Sequence, residues 1–289
     1  MSRINIKPLA LLLAPLAVLT ACAAGPAEGA NEAPSDSGAV GARTVQQIKD
    51  AGSIKIGVFS DKAPFGYVDS SGQYAGYDVV YGNRVAQDLG VKVEYVPVEA
   101  ASRVAFLETG KVDLILANFT VTAERAEKVD FANPYLKVSL GVASPESAPI
   151  TDIFQLNGKN AIVVKGTTAE TYLEANNPEV KLTKFEQYTE ATSALLDGRG
   201  DAWVTDNTEA LAWTQANKGF VTGITTLGPA DTIAGAVQKG NTDLLNWLNE
   251  ELVTLGKENF FHKDFTETLE PVYGTTVSAD DLVVEGGKV

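Results

Sequence analysis

The stretch from residue 113 to residue 141 restricts the fold of this chain more than any other part of the sequence. It begins with a short apolar run that ends at Ala117, turns abruptly polar, and leads into a helix start at Thr122. A nearly continuous apolar run is typical of a parallel strand covered on both faces, so the stretch predicts an α/β fold. Ligands of open α/β sheets bind beyond the carboxyl ends of the strands, which makes residues 117–120 a candidate binding site.

Arg125 is a candidate ligand for a carboxylate. It lies three residues after Thr122, whose side chain can cap the helix. A guanidinium offers two parallel donors and a helix start adds free N–H groups, so the two together suit a carboxylate. An ordinary solvated arginine on a helix surface is the alternative, and the spacing of the residues does not decide between them.

The length and composition of the chain indicate a soluble protein of two linked lobes. Its 289 residues exceed what one hydrophobic core usually holds, and its hydrophobic and charged contents of 45% and 21% are ordinary for a globular protein. The net charge of −14 argues against nucleic acid as a partner, because phosphate binding needs a basic surface. The sequence has one histidine, His262, and no cysteine cluster, phosphate-binding lysine loop or catalytic triad. We therefore expect no metal, cofactor or catalytic residue.

Residues 1–22 have the pattern of a secretory leader, in which a basic start precedes an apolar stretch too short to span a bilayer comfortably. The leader ends in Leu-Thr-Ala-Cys, which resembles the bacterial lipobox, so we expect Cys22 to be the diacylated first residue of the mature protein. An ordinary signal peptide with a chance cysteine is the alternative. Residues 23–44 lack periodicity and are rich in Ala, Gly, Ser and Pro, which predicts a flexible tether.

Four segments of the chain resemble family 3 of the bacterial solute-binding proteins, the extracytoplasmic amino-acid receptors of ABC importers. They are NFTVTAERAEKVDFANPY in the central stretch, residues 76–90, residues 165–168 and residues 198–206. One departure is Val80, where the family usually has an acidic residue. That position is expected on a helix and away from the ligand, so Val80 does little to weaken the resemblance to the family.

This resemblance implies a type II periplasmic-binding-protein fold. Each of its two lobes is a mainly parallel sheet flanked by helices, and two hinge strands join the lobes. We expect residues 45–138 and 238–289 to form the first lobe, and residues 139–237, including the hinge strands, to form the second.

Three expectations concern local structure in the second lobe. Thr189 is expected to cap a helix that reaches residue 196, and residues 150–156 are expected to form a linker helix. Residues 224–227 and 233–237 are expected to form two separate strands, the latter returning toward the first lobe.

The carboxylate of a bound amino acid has four expected contacts. The resemblance implies the Arg125 guanidinium, the Thr120 hydroxyl and the backbone amides of Thr167 and Thr168. The segment 165–168 supports this role by its own pattern, since a strand end, a glycine, hydroxyls and a helix start together form a cradle of N–H groups for an anion.

The ammonium of a bound amino acid is expected to contact Asp206 and the Ala117 carbonyl. A simple helix cap is the alternative role of Asp206, because Asn and Thr follow it. Asn118 belongs to the same candidate site. Phe65 and Tyr67 lie in a loop that borders the ligand in the family, and packing under the following hairpin is the alternative for both.

The nature of the ligand side chain depends on Arg103. Ser102 is expected to cap a short helix whose first turn contains Arg103, where a cation opposes the helix dipole. The resemblance makes Arg103 a side-chain contact in the cleft, and a cation there favours glutamate or aspartate, because a buried guanidinium is costly unless paired. A surface arginine is the alternative.

A narrower resemblance points to another ligand. Residues 98–107, residues 116–131 and the tail segments 260–269 and 279–289 resemble the cysteine-binding subgroup of the family. Arg103 would then polarise the thiol of the ligand or lower its pKa, or contact the ligand only through water. We expect L-cysteine as the ligand, with acidic amino acids or glutamine as alternatives.

The resemblance also implies the partners. These are the permease and ATPase of an ABC importer, and the membrane through the lipid on Cys22. We expect a monomer that works outside the cytoplasm, in the periplasm or on the outer face of the cytoplasmic membrane, without enzymatic activity. A dehydratase-like enzyme on the same scaffold is one alternative, for which Lys62 and Lys165 are the only extra polar candidates. A surface adhesin or antigen is another.

Overall fold

The computed structural model describes residues 41–288 of the chain. The predicted leader, the lipidation site Cys22 and residues 23–40 of the predicted tether lie outside the described residues. The terms first lobe and second lobe are used with the boundaries predicted from the sequence.

The strands of the described residues fall into two sheets. They are β1 Ser53–Val58, β2 Asp61–Lys62, β3 Gly66–Val68, β4 Tyr74–Ala75, β5 Lys92–Pro97, β6 Leu114–Ile115, β7 Val129–Pro145, β8 Asn160–Val164, β9 Lys181–Phe185, β10 Ala202–Asp206 and β11 Phe220–Gln238. The large sheet has the order β5-β1-β6-β11-β7-β10-β8-β9, and the small one is β2-β3-β4. In the first lobe β1 lies parallel to β5 and β6, and in the second β8 lies parallel to β9 and β10.

The long strands β7 and β11 join the two lobes. They pair antiparallel along most of their length, and between them they border β6 of the first lobe and β10 of the second. Several register shifts interrupt the pairing, including one between Leu227 and Asp231. The two strands predicted at 224–227 and 233–237 are therefore parts of one continuous strand, β11, that bends at its bulges.

Helices cover the faces of both halves of the sheet. They are α1 Val45–Ala51, α2 Tyr77–Leu89, α3 Arg103–Glu108, α4 Ala123–Ala126, α5 Thr168–Asn176, α6 Tyr188–Leu196, α7 Asn207–Ala216, α8 Thr242–Glu258, α9 Phe260–Asp264, α10 Glu270–Tyr273 and α11 Ala279–Leu282. Short 3₁₀ helices cover Ala100–Ser102, Ile153–Leu156 and Glu285–Gly287, and a π-helical turn covers Phe265–Leu269. None of the helices among residues 41–288 combines the length and the apolar character that crossing a membrane requires.

Three predicted helix starts differ from the structure. Ser102 lies in a 3₁₀ turn and makes no side-chain cap, because that turn already leads into α3. Thr189 lies inside α6, whose first N–H groups instead bind the Asp61 carboxylate of the first lobe. The linker helix predicted at 150–156 is reduced to the 3₁₀ helix Ile153–Leu156, capped by Asp152.

Each lobe has its own hydrophobic core. In the first lobe α8 buries a leucine stripe, and an aromatic cluster joins Tyr81, Tyr135 and Phe261, whose rings lie 5.0 to 5.6 Å apart. A further cluster spans the boundary between the lobes, where Phe59 of the first lobe meets Tyr188 of the second with ring centroids 5.1 Å apart. The lobes are therefore in direct apolar contact.

The first described residues are fixed to the first lobe. Arg43 forms a bidentate ion pair with Asp113, which also accepts a hydrogen bond from the backbone of Lys55. The Asn241 side chain donates to the Arg43 carbonyl, and Thr44 caps α1. Arg43 and Thr44 are therefore part of the folded lobe, so the prediction of a flexible tether that reaches residue 44 is wrong for these two residues.

Candidate functional site

The polar ends of three strands meet where the two lobes face each other. Residues 117–120 follow β6 in the first lobe, and Gly166 and Asp206 mark the ends of β8 and β10 in the second. Because β8 and β10 are parallel, their carboxyl ends lie at the same edge of the sheet. The residues after β6 face them from the first lobe, as the hydrogen bond from Arg125 to the Gly166 carbonyl shows. The candidate residues of both lobes thus meet beyond the carboxyl ends of their strands, where α/β proteins bind ligands.

Arg125 reaches from the first lobe to the second. Its Nη1 donates to the Thr120 carbonyl at 2.8 Å, and its Nη2 donates to the Gly166 carbonyl at 2.9 Å. The predicted cap is present, since Thr122 Oγ1 accepts from the Arg125 amide at 3.2 Å. Burial, together with the nearby Arg103 guanidinium, lowers the pKa of Arg125 to about 9. This concentration of positive charge suits an anionic ligand group.

Arg103 is buried and binds only backbone carbonyls. Nε donates to Ala100 at 3.0 Å, Nη1 to Ala117 and Asn118 at 3.0 and 3.3 Å, and Nη2 to Gly166 at 3.1 Å. The Ala117 carbonyl, predicted as an ammonium contact, therefore accepts a hydrogen bond from Arg103 in this structure. Burial lowers the pKa of Arg103, and no carboxylate lies within ion-pair distance of it among residues 41–288.

The Phe119 ring contacts both arginines. The guanidinium carbon of Arg103 lies 4.3 Å from the ring centroid, and that of Arg125 lies 4.8 Å from it. Such cation–π contacts partly offset the mutual repulsion of two buried cations. Phe119 lies in the predicted candidate segment 117–120, but no role was predicted for its ring.

Asp206 makes an ion pair with Lys62 of the first lobe. The Lys62 Nζ lies 2.7 Å from Asp206 Oδ2, and the two side chains are 1% and 10% exposed. Asp206 occupies the cap position of α7, but its side chain makes no cap hydrogen bond. The side chain therefore does not have the alternative role of a helix cap. Lys62 also reaches Asn118 Oδ1 at 2.9 Å and the Tyr188 hydroxyl at 3.3 Å.

Thr167 and Thr168 begin α5 at the end of β8. Thr167 Oγ1 accepts from the Glu170 amide at 3.4 Å and donates to the Val164 carbonyl at 2.7 Å. The Gly166 amide donates to Glu170 at 2.7 Å, so one N–H of the predicted cradle is bound by a carboxylate of the same lobe. Two cavities of about 250 and 200 Å³ adjoin Thr168, one beside Arg125 and the other beside Asp231.

The two aromatic residues of the loop after β1 lie apart from each other. Phe65 is fully buried, and its ring centroid lies 5.9 Å from Lys62 Nζ, so it forms a wall behind the Lys62–Asp206 pair. Tyr67 is on β3 and lines a separate cavity with Tyr74 and Glu267. The structure does not bring Tyr67 together with the other candidate residues.

Two acidic residues of the site were not predicted. Glu209 is 3% exposed and lies 3.4 Å from Lys62, and burial raises its pKa to about 7. Asp231 lies on the hinge strand β11, where burial and Asp206 raise its pKa and Arg125 lowers it. A sequence signal existed for Glu209, which follows Asp206 by three residues and so shares a helix face with it. No pattern in the sequence indicated a role for Asp231 in the site.

The described residues contain no group of three or more His, Cys, Asp or Glu side chains arranged to hold a metal ion. The ring nitrogens of His262 contact Glu285 and Asp280 in the tail region of the chain.

Residues 54–263 match the profile of the bacterial extracellular solute-binding proteins, family 3. This segment includes Lys62, Arg103, Arg125 and Asp206. The chain belongs to this family. Its expected fold is confirmed, because the parallel half-sheets and the two crossing strands of the solute-binding protein are those of type II periplasmic binding proteins.

Two solved structures and one other relative show how similar this solute-binding protein is to known ones. The solute receptor for L-cysteine of Neisseria gonorrhoeae is 52% identical, with a TM-score of 0.83 over 84% of this chain and 100% of that one. The cysteine-binding protein of Campylobacter jejuni is 48% identical, with a TM-score of 0.82 over 83% and 98% of the two chains. The glutamine-binding protein GlnH of a Bacillus subtilis (strain 168) ABC transporter is 32% identical over 215 residues, which are 72% of this chain and 78% of that protein.

Proposed function

We propose that this protein is the extracytoplasmic receptor of an ABC importer and that its ligand is L-cysteine. The observation that carries the proposal is the placement of opposite charges at one lobe boundary, where Asp206 of the second lobe is close enough to Arg125 of the first to offset part of the lowering of its pKa by burial. A free amino acid has one carboxylate and one ammonium, so a cation and an anion on facing lobes complement it. The high identity to two cysteine receptors supports cysteine over other amino acids.

The hydrogen bonds of Arg103 support a ligand with a small, uncharged side chain. Four of its five N–H donors go to backbone carbonyls, so a glutamate or aspartate side chain could form a bidentate pair with Arg103 only by displacing at least one of those bonds. A displaced carbonyl that stays buried loses a hydrogen bond worth about 1 kcal/mol or more. Glutamate and aspartate are therefore weaker candidates than cysteine, although Arg103 can still polarise a nearby thiol.

Ligand binding would shift the two lobes toward the closed arrangement. Arg125 already bonds the Gly166 carbonyl across the boundary, and a ligand carboxylate beside both would add contacts that exist only when the lobes are closed. A ligand shifts such an equilibrium by its difference in affinity for the two forms. The closed form would then be recognised by the membrane permease, and the ATPase of the importer would supply the energy.

We propose that the receptor acts as a monomer held to the membrane through a lipid on Cys22. Replacing Cys22 by serine should release the protein in soluble form, because the lipid is the expected anchor. Mass spectrometry of the membrane fraction is the direct check. An intact leader or an unmodified Cys22 there would contradict the assignment.

The function is tested by calorimetry under reducing conditions on protein that has been unfolded and refolded to remove any bound amino acid. L-cysteine should bind most tightly, with serine, glutamate, aspartate and glutamine as the comparison ligands. Arg125→Ala and Asp206→Ala should each lose binding without unfolding, because each leaves a ligand charge buried and unpaired, at a cost of several kcal/mol. No response to any common amino acid, cystine included, would contradict the receptor function.

We propose no enzymatic activity for this protein. Incubation of the purified protein with its bound amino acid, followed by analysis for products, checks this directly. A product formed at a rate that depends on Lys62 or Lys165 would instead favour an enzyme, because these lysines are the available acid or base groups.

A further inference from the structure

The Lys62 ammonium lies at the centre of a buried cluster that joins the two lobes. The carboxylates of Asp206 and Glu209 both lie within 3.4 Å of it. Solvent does not hydrate the ammonium, because the Lys62 side chain is only 1% exposed. The Tyr188 ring lies 4.7 Å from it and closes one side. Burial lowers the pKa of Lys62, but the two carboxylates more than offset this effect, so the amine stays charged.

At a pH above the Glu209 pKa of about 7, the charges of this cluster leave one negative charge unmatched. One ammonium faces two carboxylates, and Glu209 is further held by the Thr205 hydroxyl, which donates to it at 2.5 Å. Lys62 binds Oδ2 of Asp206, whereas no residue among 41–288 donates a hydrogen bond to Oδ1. A ligand ammonium would supply both the missing charge and the missing donor.

We propose that Lys62 is a positioning residue of the ammonium subsite. It neutralises Glu209 and fixes one oxygen of Asp206, so that the other oxygen presents a single negative charge to the ligand. This inference rests on the amino-acid-binding function proposed above, and it adds to that function the residue pair that sets the charge of the subsite.

The pH dependence of binding distinguishes this role from a merely structural one. Without Lys62, Asp206 and Glu209 would be two neighbouring buried carboxylates, and binding one ammonium would still leave one charge uncompensated. A proton on Glu209 would then replace the charge of Lys62. The other titratable groups that face Glu209 are Tyr188 on α6 and Tyr273 on α10, and burial raises the pKa of both, so they stay neutral.

The test measures the Kd for L-cysteine by calorimetry under reducing conditions, at about pH 8 and about pH 6, for four proteins: wild type, Lys62→Met, Glu209→Gln and the double variant. Lys62→Met should bind at least roughly tenfold more weakly at pH 8 and recover part of this loss at pH 6. Glu209→Gln alone should also bind more weakly, because Lys62 then cancels Asp206. The double variant should return to within about threefold of the wild type, since Asp206 again carries the only charge.

Lys257→Met serves as the matched control, because Lys257 is an exposed lysine on α8 of the same lobe. It should bind like the wild type at both pH values. Wild-type affinity of Lys62→Met at pH 8, or a double variant no better than Lys62→Met, would overturn the proposal.

Two further outcomes keep the inference separate from the proposed function. If circular dichroism shows that Lys62→Met does not fold, the proposal is tested by Glu209→Gln alone. Unchanged L-cysteine binding in that variant would overturn the proposal. A wild type that does not bind L-cysteine would contradict the proposed ligand and not the role of Lys62. The four proteins are then compared with the amino acid that a thermal-shift panel identifies.

Discussion

Gly166 of the second lobe lies directly against Ala101 of the first. A Cβ placed on Gly166 would be 2.5 Å from the Ala101 Cα and 2.7 Å from its backbone nitrogen. The Gly166 carbonyl is also the acceptor for both Arg103 and Arg125. The glycine therefore allows the approach of the two lobes at the point where the arginines cross between them.

Gly166→Ala should weaken ligand binding by roughly tenfold or more, because the added methyl group blocks the closed arrangement. Calorimetry with L-cysteine measures this effect. Gly198→Ala is the matched control: both glycines have φ near +70°, but a Cβ on Gly198 meets nothing within 4 Å. Each variant should lose about 1–2 kcal/mol of stability to backbone strain. Equal affinities of the two variants would show that Gly166 does not control closure.

Asp61→Ala should weaken binding without lowering the stability of the ligand-free protein. The Asp61 carboxylate accepts hydrogen bonds from the Tyr188 and Thr189 amides at 2.8 and 3.3 Å, so a first-lobe side chain caps a second-lobe helix. Losing a cap costs about 0.5–2 kcal/mol, and here the cost falls only on the closed form. Asp152→Ala, which removes a cap within the second lobe, should show the reverse pattern of lower Tm and unchanged Kd.

Arg103→Ala should lower the affinity for cysteine and for glutamate by similar factors. Arg103 donates to the carbonyls of Ala117 and Gly166 and so supports the site through the backbone, whatever the ligand side chain. Removing a charged donor from buried acceptors costs about 1.5–3 kcal/mol. Competition calorimetry gives both constants. A selective loss of glutamate binding would instead make Arg103 the contact for an acidic side chain.

Asp264→Asn should stabilise the protein increasingly as the pH rises. Burial raises the pKa of Asp264 to about 9, and its Oδ2 has no hydrogen-bond partner within the described part of the chain. The folded state thus favours the neutral acid, and this contribution to stability is lost as the pH rises from the unfolded value toward 9. In that range, the contribution of Asp264 to the free energy of unfolding falls by at most about 1.4 kcal/mol per pH unit.

The measurement compares the Tm of wild type and Asp264→Asn between pH 5 and pH 8.5. The difference should widen with pH, whereas the exposed Asp50→Asn variant on α1 should give a constant difference. A Tm difference for Asp264→Asn that does not change with pH would mean that Asp264 is ionised in the folded protein.

Features set by neighbours in the chain could be predicted from the sequence. Thr122 caps the helix that contains Arg125, the glycine after α2 ends that helix, and the leucine stripe of α8 is buried, all as the residue spacing indicates. The single strand β11 could not be predicted, because Gly228 and Pro229 look like a turn. In the structure they lie at a bulge, where pairing with β7 resumes at Asp231.

The contacts across the cleft could not be predicted from spacing either. Lys62 and Asp206 are 144 positions apart, and only the fold brings β2 to the end of β10. For the same reason Thr189 looked like the cap of α6, although the cap comes from Asp61 in the other lobe. The resemblance to a family supplied Asp206 but not its partner.

The ion pair between Arg43 and Asp113 determines where mechanical force would enter the protein. Arg43 is held by Asp113 and Asn241, and the Val45 backbone amide donates to Asp243, so all of these contacts belong to the first lobe. A pull on the chain before residue 41 would therefore be carried by the first lobe alone. The second lobe would bear none of it, and its hinge motion could proceed at the same rate whether the amino terminus is held or released.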